Sequence, residues 1–128
     1  INASNKRVFQ LLVEGPSEAM IVSDNLSSDV QSPTWFGKYS EKHYRWLAKT
    51  AHEYGKPLAS HIDGRLRGLL KLHAEMGVDV ADAVTPAPWG DLTPKECRDE
   101  AGDKLVLSGG VPPDQFNPNV PLSVFDKS

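Results

Sequence analysis

The chain alternates between two patterns of apolar residues, one helical and one continuous. Apolar positions three or four residues apart predict amphipathic helices at residues 5–14, 33–54 and 65–76. Ser32 followed by Pro33 is a typical helix start. Thr93 with Glu96 three positions later predicts a capping box on a helix ending near residue 101. A last helix is predicted to begin near Val120.

Continuous apolar runs between the helices predict strands at residues 19–23, 58–60, 78–84 and 105–108. Strands that alternate with helices indicate an α/β fold with parallel pairing and right-handed crossovers. Uninterrupted apolar strands are typical of a sheet covered on both faces. An open doubly wound sheet and a closed barrel both satisfy this pattern. No Gly-rich phosphate fingerprint follows the first strand, which disfavours a dinucleotide-binding domain.

Composition narrows the class of protein further. The 128 residues carry 14 Lys+Arg against 17 Asp+Glu, a net charge of −3 with no basic stripe, so we expect no nucleic-acid partner. No apolar stretch approaches the roughly 20 residues of a membrane span. The single cysteine, Cys97, excludes a disulfide framework within the chain and predicts a cytoplasmic protein. The chain begins at Ile1, and an amphipathic pattern is only starting at its end, so we expect truncation at both ends.

Polar residues follow the predicted strands at the ends where parallel α/β folds bind ligands. His61 and Asp63 are two positions apart, so on an extended strand both side chains face the same way. An imidazole and a carboxylate suit a divalent metal, and equally suit general acid–base catalysis. A purely structural interpretation stays open, in which Asp63 caps the next helix and His61 is hydrogen-bonded at the strand end.

The other strand ends predict substrate contacts at Asp24, Asn25, Thr85, Gly109 and Gly110. Asp24 could orient a substrate or act as a base, or it could simply start a turn. The glycine pair could bring backbone N–H groups close to an anion, or it could serve only a tight turn.

Several segments keep the order and spacing of a known family. They are Ser32-Pro33, AHEYGKP at 51–57, HIDG at 61–64, TPAPWGDL at 85–92 and GGVPP at 109–113. Together they span nearly the whole chain, from about residue 19 onward. They resemble the uroporphyrinogen decarboxylase superfamily, which also contains the methyltransferases that serve corrinoid proteins and coenzyme M.

The resemblance implies a (β/α)8 barrel, and residues 1–128 would form a partial domain from its C-terminal half, with about four parallel strands. In the methyltransferase branch, zinc is held by a His-x-Cys pair and a distant Cys. The histidine matches His61, the first Cys position holds Asp63, and the distant Cys would lie beyond Ser128. In the true decarboxylases, arginines near the N-terminus bind the porphyrinogen carboxylates, and that segment would precede Ile1.

The implied parent is a decarboxylase or a corrinoid-linked methyltransferase, with His61 and Asp63 as catalytic or metal-binding residues. Its cofactor would be a divalent metal such as zinc, and its substrate a tetrapyrrole or a methyl donor. A corrinoid protein is a candidate partner, and the fragment alone is expected to be inactive. Two alternatives stay open. One is a non-catalytic half-barrel that forms homodimers through its exposed edges, and the other is a small flavodoxin-like domain that binds an anion.

Overall fold

A computed structural model describes residues 3–111, 118, 119, 121 and 123. Helices and strands alternate within this part of the chain. The elements are α1 (Ala3–Glu14), β1 (Met20–Leu26), α2 (Pro33–Tyr39), α3 (Glu41–Glu53), β2 (Leu58–Ile62), α4 (Leu69–Met76), β3 (Val80–Val84), α5 (Pro94–Ala101) and β4 (Val106–Gly109). No helix among these residues is long and apolar enough to cross a bilayer. Of the helix predicted to begin near Val120, only Pro121 and Ser123 are among the described residues, and Ser123 is helical.

The four strands form one all-parallel sheet, as the sequence predicts, and their order in the sheet is the order in the chain, β1-β2-β3-β4. A doubly wound sheet instead reverses its strand order at a switch point, which places helices on both faces. The described strands have no reversal. The strand order therefore disfavours the flavodoxin-like alternative.

The helices that follow β1, β2 and β3 cover the same face of the sheet. Helix α3 contacts α4, and α4 contacts α5, so the three form one layer. Alternate residues of β2 are buried against this layer, namely Leu58, Ser60 and Ile62. The intervening residues lie on the opposite face, where the paired positions include Ile21, Ala59, Val80 and Val106.

We call this opposite side the open face of the sheet. Ile21 and Val106 are 55% and 56% exposed there. The apolar runs predicted a sheet covered on both faces, and in the described part of the chain the prediction is correct for one face only.

Two predicted helices differ from the observed ones. The helix predicted at 33–54 is divided at Ser40, whose φ of −105° departs from helical values and whose hydroxyl accepts a hydrogen bond from Gln31. The helix predicted from residue 65 begins only at Leu69, because Gly68 before it adopts a φ of +80°. A Cβ at Gly68 would lie 2.9 Å from the Pro33 ring, so this turn requires glycine.

Capping was predicted more accurately. Thr93 accepts a hydrogen bond from the Glu96 backbone, and the Glu96 carboxylate accepts one from the Thr93 backbone, which completes the capping box of α5. Ser32 accepts a hydrogen bond from the Trp35 backbone at the start of α2. These local signals depend on residues three positions apart and on no distant contact.

Candidate active site

Three polar side chains on neighbouring strands form a row across the open face. His61 on β2 is paired in register with Asp82 on β3, and Ser108 lies on β4. The His61 Nδ1 atom is 2.9 Å from Asp82 Oδ2, and the Ser108 hydroxyl donates to Asp82 Oδ1 at 3.3 Å. We call His61, Asp82 and Ser108 the polar row. The side chains of His61 and Asp82 are 35% and 36% exposed, so the row is accessible to small molecules.

A cavity of about 240 Å³ lies beside the polar row at the carboxyl ends of β2, β3 and β4. It brings together the predicted site residues His61, Asp63, Thr85, Gly109 and Gly110. The Thr85 hydroxyl lies within hydrogen-bonding distance of Asp63 Oδ1 and the Ala83 carbonyl, at 3.3 and 3.1 Å. Sequence position thus placed these five residues at one edge correctly.

The backbone of β3 and β4 is distorted where the cavity begins. The strand register shifts between Ala81 and Val84, and Ala83 has a φ of +67°, which is unusual for a residue with a side chain. Gly109 has a φ of +123°, and a Cβ there would lie 2.8 Å from the Val84 backbone nitrogen and oxygen. Gly109 is therefore required for close strand approach. The Gly110 amide donates to the Val84 carbonyl at 2.9 Å, so the turn already uses this N–H group.

Asp24 and Asn25 do not line this cavity. Asn25 has a φ of +51° at the point where the register between β1 and β2 shifts. The Asp24 carboxylate accepts a hydrogen bond from the Tyr44 hydroxyl at 2.8 Å, which directs it toward α3. Asp24 and Asn25 therefore lie apart from the cavity beside the polar row, and their contact with a substrate stays a prediction.

Asp24 begins a second set of polar contacts, between the sheet and its helices. The Tyr44 hydroxyl lies 3.4 Å from Ser60 Oγ, which lies 3.2 Å from His73 Nε2, and His73 Nδ1 donates to the Leu69 carbonyl at 2.8 Å. Tyr44, Ser60 and His73 are buried, and Asp24 at the outer end is exposed. We call these four residues the buried polar chain. Burial raises the pKa of Tyr44 above its usual range and lowers the pKa of His73.

The predicted metal pair, His61 and Asp63, shares the cavity, but each residue has a different partner. His61 contacts Asp82, whereas Asp63 contacts Thr85. Within residues 3–111 and the few described beyond them, no three His, Cys, Asp or Glu side chains are grouped to hold a metal ion. The alternative in which Asp63 caps the next helix does not hold, because α4 begins at Leu69 with Gly68 at its N-cap and no side-chain cap hydrogen bond.

Sequence reasoning missed Asp82 and Ser108. Both lie inside apolar runs that predict buried strands, and a charged residue within such a run is costly to bury without a partner. Asp82 alternates with the buried Ala81, and this period of two placed it on the face opposite the helices. This alternation is visible in the sequence, but the apolar character of the run favours a strand buried on both faces.

The fold and the site define an α/β protein with an all-parallel sheet and a histidine–carboxylate cluster at the carboxyl ends of its strands. No family model matches the chain, and no curated protein or solved structure is significantly similar to it. The arrangement can transfer a proton through the imidazole, or it can supply a nitrogen and a carboxylate ligand.

Proposed function

We propose that this chain is part of a (β/α)8 barrel enzyme of the uroporphyrinogen decarboxylase superfamily, either a decarboxylase or a corrinoid-linked methyltransferase. The observation that carries the proposal is the polar row beside a cavity at the carboxyl ends of β2 to β4. Active sites of such barrels are built at this end of the strands. The segments 51–57, 61–64 and 85–92 supply the resemblance to the family.

Sheet topology supports the barrel. A barrel has its strands in sequential order, a single outer layer of helices, and side chains that fill its interior. The sequential order, the one-sided helices and the half-exposed Ile21 and Val106 agree with part of such a structure. In the proposed barrel, the open face is the interior, and the remaining strands cover it.

In this proposal His61 acts as an acid–base group or metal ligand, and Asp63 is the second group. Thr85, Gly109 and Gly110 contact a small substrate, a tetrapyrrole or a methyl donor. Asp24 and Asn25 do not line the cavity, so they would contact only a part of the substrate that extends beyond it toward β1. A corrinoid protein is the expected partner of a methyltransferase. The single cysteine of the chain, Cys97, is the basis for the proposed cytoplasmic location.

A divalent metal such as zinc fits the residues present in part. A carboxylate on the far nitrogen of an imidazole is the usual support of a metal-binding histidine, and Asp82 holds His61 in this way. His61 and Asp63 would be two ligands, and a third must come from outside the described residues. Bound zinc would supply Lewis-acid activation of a thiol or an oxygen atom.

Two assays on the full-length protein test the proposal, one of uroporphyrinogen decarboxylation and one of methylcobalamin demethylation by a thiol. We expect one reaction to proceed, and His61→Ala to slow it by roughly 10²- to 10⁴-fold. His52→Ala is the matched control. His52 also pairs with an aspartate, Asp79, at 2.7 Å, but His52 lies on α3, away from the cavity. Absence of both reactions, or an unchanged rate in His61→Ala, would contradict the proposal.

The exposed apolar positions on the open face favour a second candidate, a non-catalytic half-barrel that self-associates. Ile21 and Val106 would be covered by a second copy. Light scattering of the chain distinguishes the two candidates. A dimer that Ile21→Lys converts to monomer supports self-association, and a folded monomer excludes it.

A further inference from the structure

Asp82 occupies the centre of the polar row, with one partner on each carboxylate oxygen. Its Oδ2 contacts His61 Nδ1, and its Oδ1 accepts from Ser108. We propose that Asp82 is the positioning residue of the site. It holds His61 in the tautomer that is protonated at Nδ1, which leaves Nε2 as the atom with the free lone pair. The role of His61 in catalysis rests on the proposed function, whereas its tautomer does not.

The tautomer follows from the chemistry of the two groups. An ionised carboxylate only accepts hydrogen bonds, so the His61 Nδ1 atom must donate. A neutral imidazole carries one N–H group, so the proton at Nδ1 leaves the lone pair on Nε2. In the described part of the chain, Nε2 makes no hydrogen bond that would oppose this assignment. A lone pair on Nε2 is what either a general base or a metal ligand needs.

Ser108 and the sheet hold the Asp82 carboxylate against His61. His61 and Asp82 are paired in register on adjacent parallel strands, so backbone hydrogen bonds fix their spacing, and Ser108 follows the regular pair of Ala81 with Leu107. The Ser108 hydroxyl occupies Oδ1 and leaves Oδ2 directed at the imidazole. No lysine or arginine among the described residues pairs with Asp82, so no cation competes with His61 for the carboxylate.

Two other histidines provide references for both tautomers in the same molecule. His73 donates from Nδ1 to the Leu69 carbonyl at 2.8 Å, and a carbonyl also only accepts. His52 contacts Asp79 through Nε2 at 2.7 Å, so its neutral form carries the proton at Nε2. We therefore expect His61 to resemble His73 and to differ from His52.

Nitrogen NMR of the full chain with ¹⁵N-labelled histidine tests the proposal. At about pH 9, well above the ordinary histidine pKa of about 6.5, neutral rings show a protonated and an unprotonated nitrogen at separate shifts. The His61 signals are those lost in His61→Gln. A His61 ring with its proton at Nδ1 supports the proposal, and a ring protonated mainly at Nε2 overturns it.

The Asp82→Ala chain tests the cause. We expect the Nδ1-protonated form of His61 to fall from nearly all molecules to a minority, while the His73 and His52 signals are unchanged. An unchanged His61 tautomer would show that Asp82 does not position the ring. If Asp82→Ala loses the His73 reference signal, Asp82→Val is used, because β-branched residues favour strands. Asp79→Ala, which removes the partner of His52, is the matched control and leaves His61 unaffected.

The same samples separate this proposal from the proposed function. An Nδ1-protonated His61 in a protein whose His61→Ala variant keeps full enzymatic activity would leave the positioning role of Asp82 intact and refute the catalytic role of His61. A catalytic His61 with its proton on Nε2 would refute the positioning role of Asp82 and leave the catalytic role of His61 intact.

Discussion

Each face of the sheet has a histidine in a polar cluster, but the two histidines differ in burial and in hydrogen bonding. On the helix-covered face, His73 is fully buried and ends a chain of contacts that runs through Ser60 and Tyr44. On the open face, His61 is partly exposed and paired with the Asp82 carboxylate. Ser60 and His61 are adjacent in sequence, yet the pleat of β2 sends them to different environments.

This difference shows how a histidine becomes structural or chemically available. Burial lowers the pKa of His73, which favours the neutral ring, and its two nitrogens lie within hydrogen-bonding distance of Ser60 and the Leu69 carbonyl. His61 keeps one nitrogen without a hydrogen bond among the described residues and lines a cavity. We therefore expect changes on the helix-covered face to affect stability and changes on the open face to affect activity.

The largest expected effect compares two isoleucines on opposite faces. Ile62 is fully buried, so Ile62→Ala should lower the free energy of unfolding by about 2–5 kcal/mol. Ile21 is 55% exposed, and Ile21→Ala should cost less than about 1 kcal/mol. Urea unfolding of both variants measures the difference. A cost of several kcal/mol at Ile21 would show that the open face is covered in solution.

The next effect concerns activity alone. Asp82→Asn removes the charge that supports His61 and should lower the rate of the full-length protein about 10- to 100-fold. The unfolding free energy should change little, because Asp82 is partly exposed. Steady-state kinetics and urea unfolding are measured on the same samples. Loss of stability with unchanged kinetics would place Asp82 with the structural residues instead.

His73, which is buried against the helix-covered face, should make the free energy of unfolding depend on pH. The unfolded chain protonates His73 as the pH falls below about 6.5, whereas the folded chain does so only at lower pH, because burial lowers the pKa of His73. The unfolding free energy should therefore fall with decreasing pH, by up to about 1.4 kcal/mol per unit from this one group. In His73→Gln this dependence should be weaker. His43 also has a pKa lowered by burial and remains in both chains, so their difference isolates His73.

The smallest effect tests the outer end of the buried polar chain. Tyr44→Phe removes the hydroxyl that donates to Asp24 and should cost about 1–2 kcal/mol of unfolding free energy. Tyr39→Phe is the matched control, because Tyr39 is 60% exposed and should change stability by less than about 0.5 kcal/mol. Equal effects in the two variants would mean that the Tyr44 hydroxyl contributes no net stability.

Most of the elements were predictable because their signals are local. The capping box of α5 needs only Thr93 and Glu96, and the strands were visible as apolar runs. The start of α4 was not, because Gly68 takes its positive φ beside Pro33, which is distant in sequence. Periodicity carries no information about a contact of this kind.

For the candidate site, the sequence predicted only its location at the carboxyl edge of the sheet. Parallel strands place their carboxyl ends together, so His61, Asp63 and Thr85 were expected to meet, and the cavity brings them together. The pairing within this edge was not expected. Asp82 and not Asp63 contacts His61, because register across the sheet decides which side chains are neighbours.

The sequence by itself determined an α/β chain with four parallel strands and a polar carboxyl edge, because periodicity and strand–helix order are properties of the chain. Tertiary structure alone decided the sequential strand order, the face each polar residue occupies and the partner of His61. It also directed Asp24 toward Tyr44 and away from the cavity. These features depend on register and on backbone distortions at Asn25 and Ala83, which arise only when strands pack side by side.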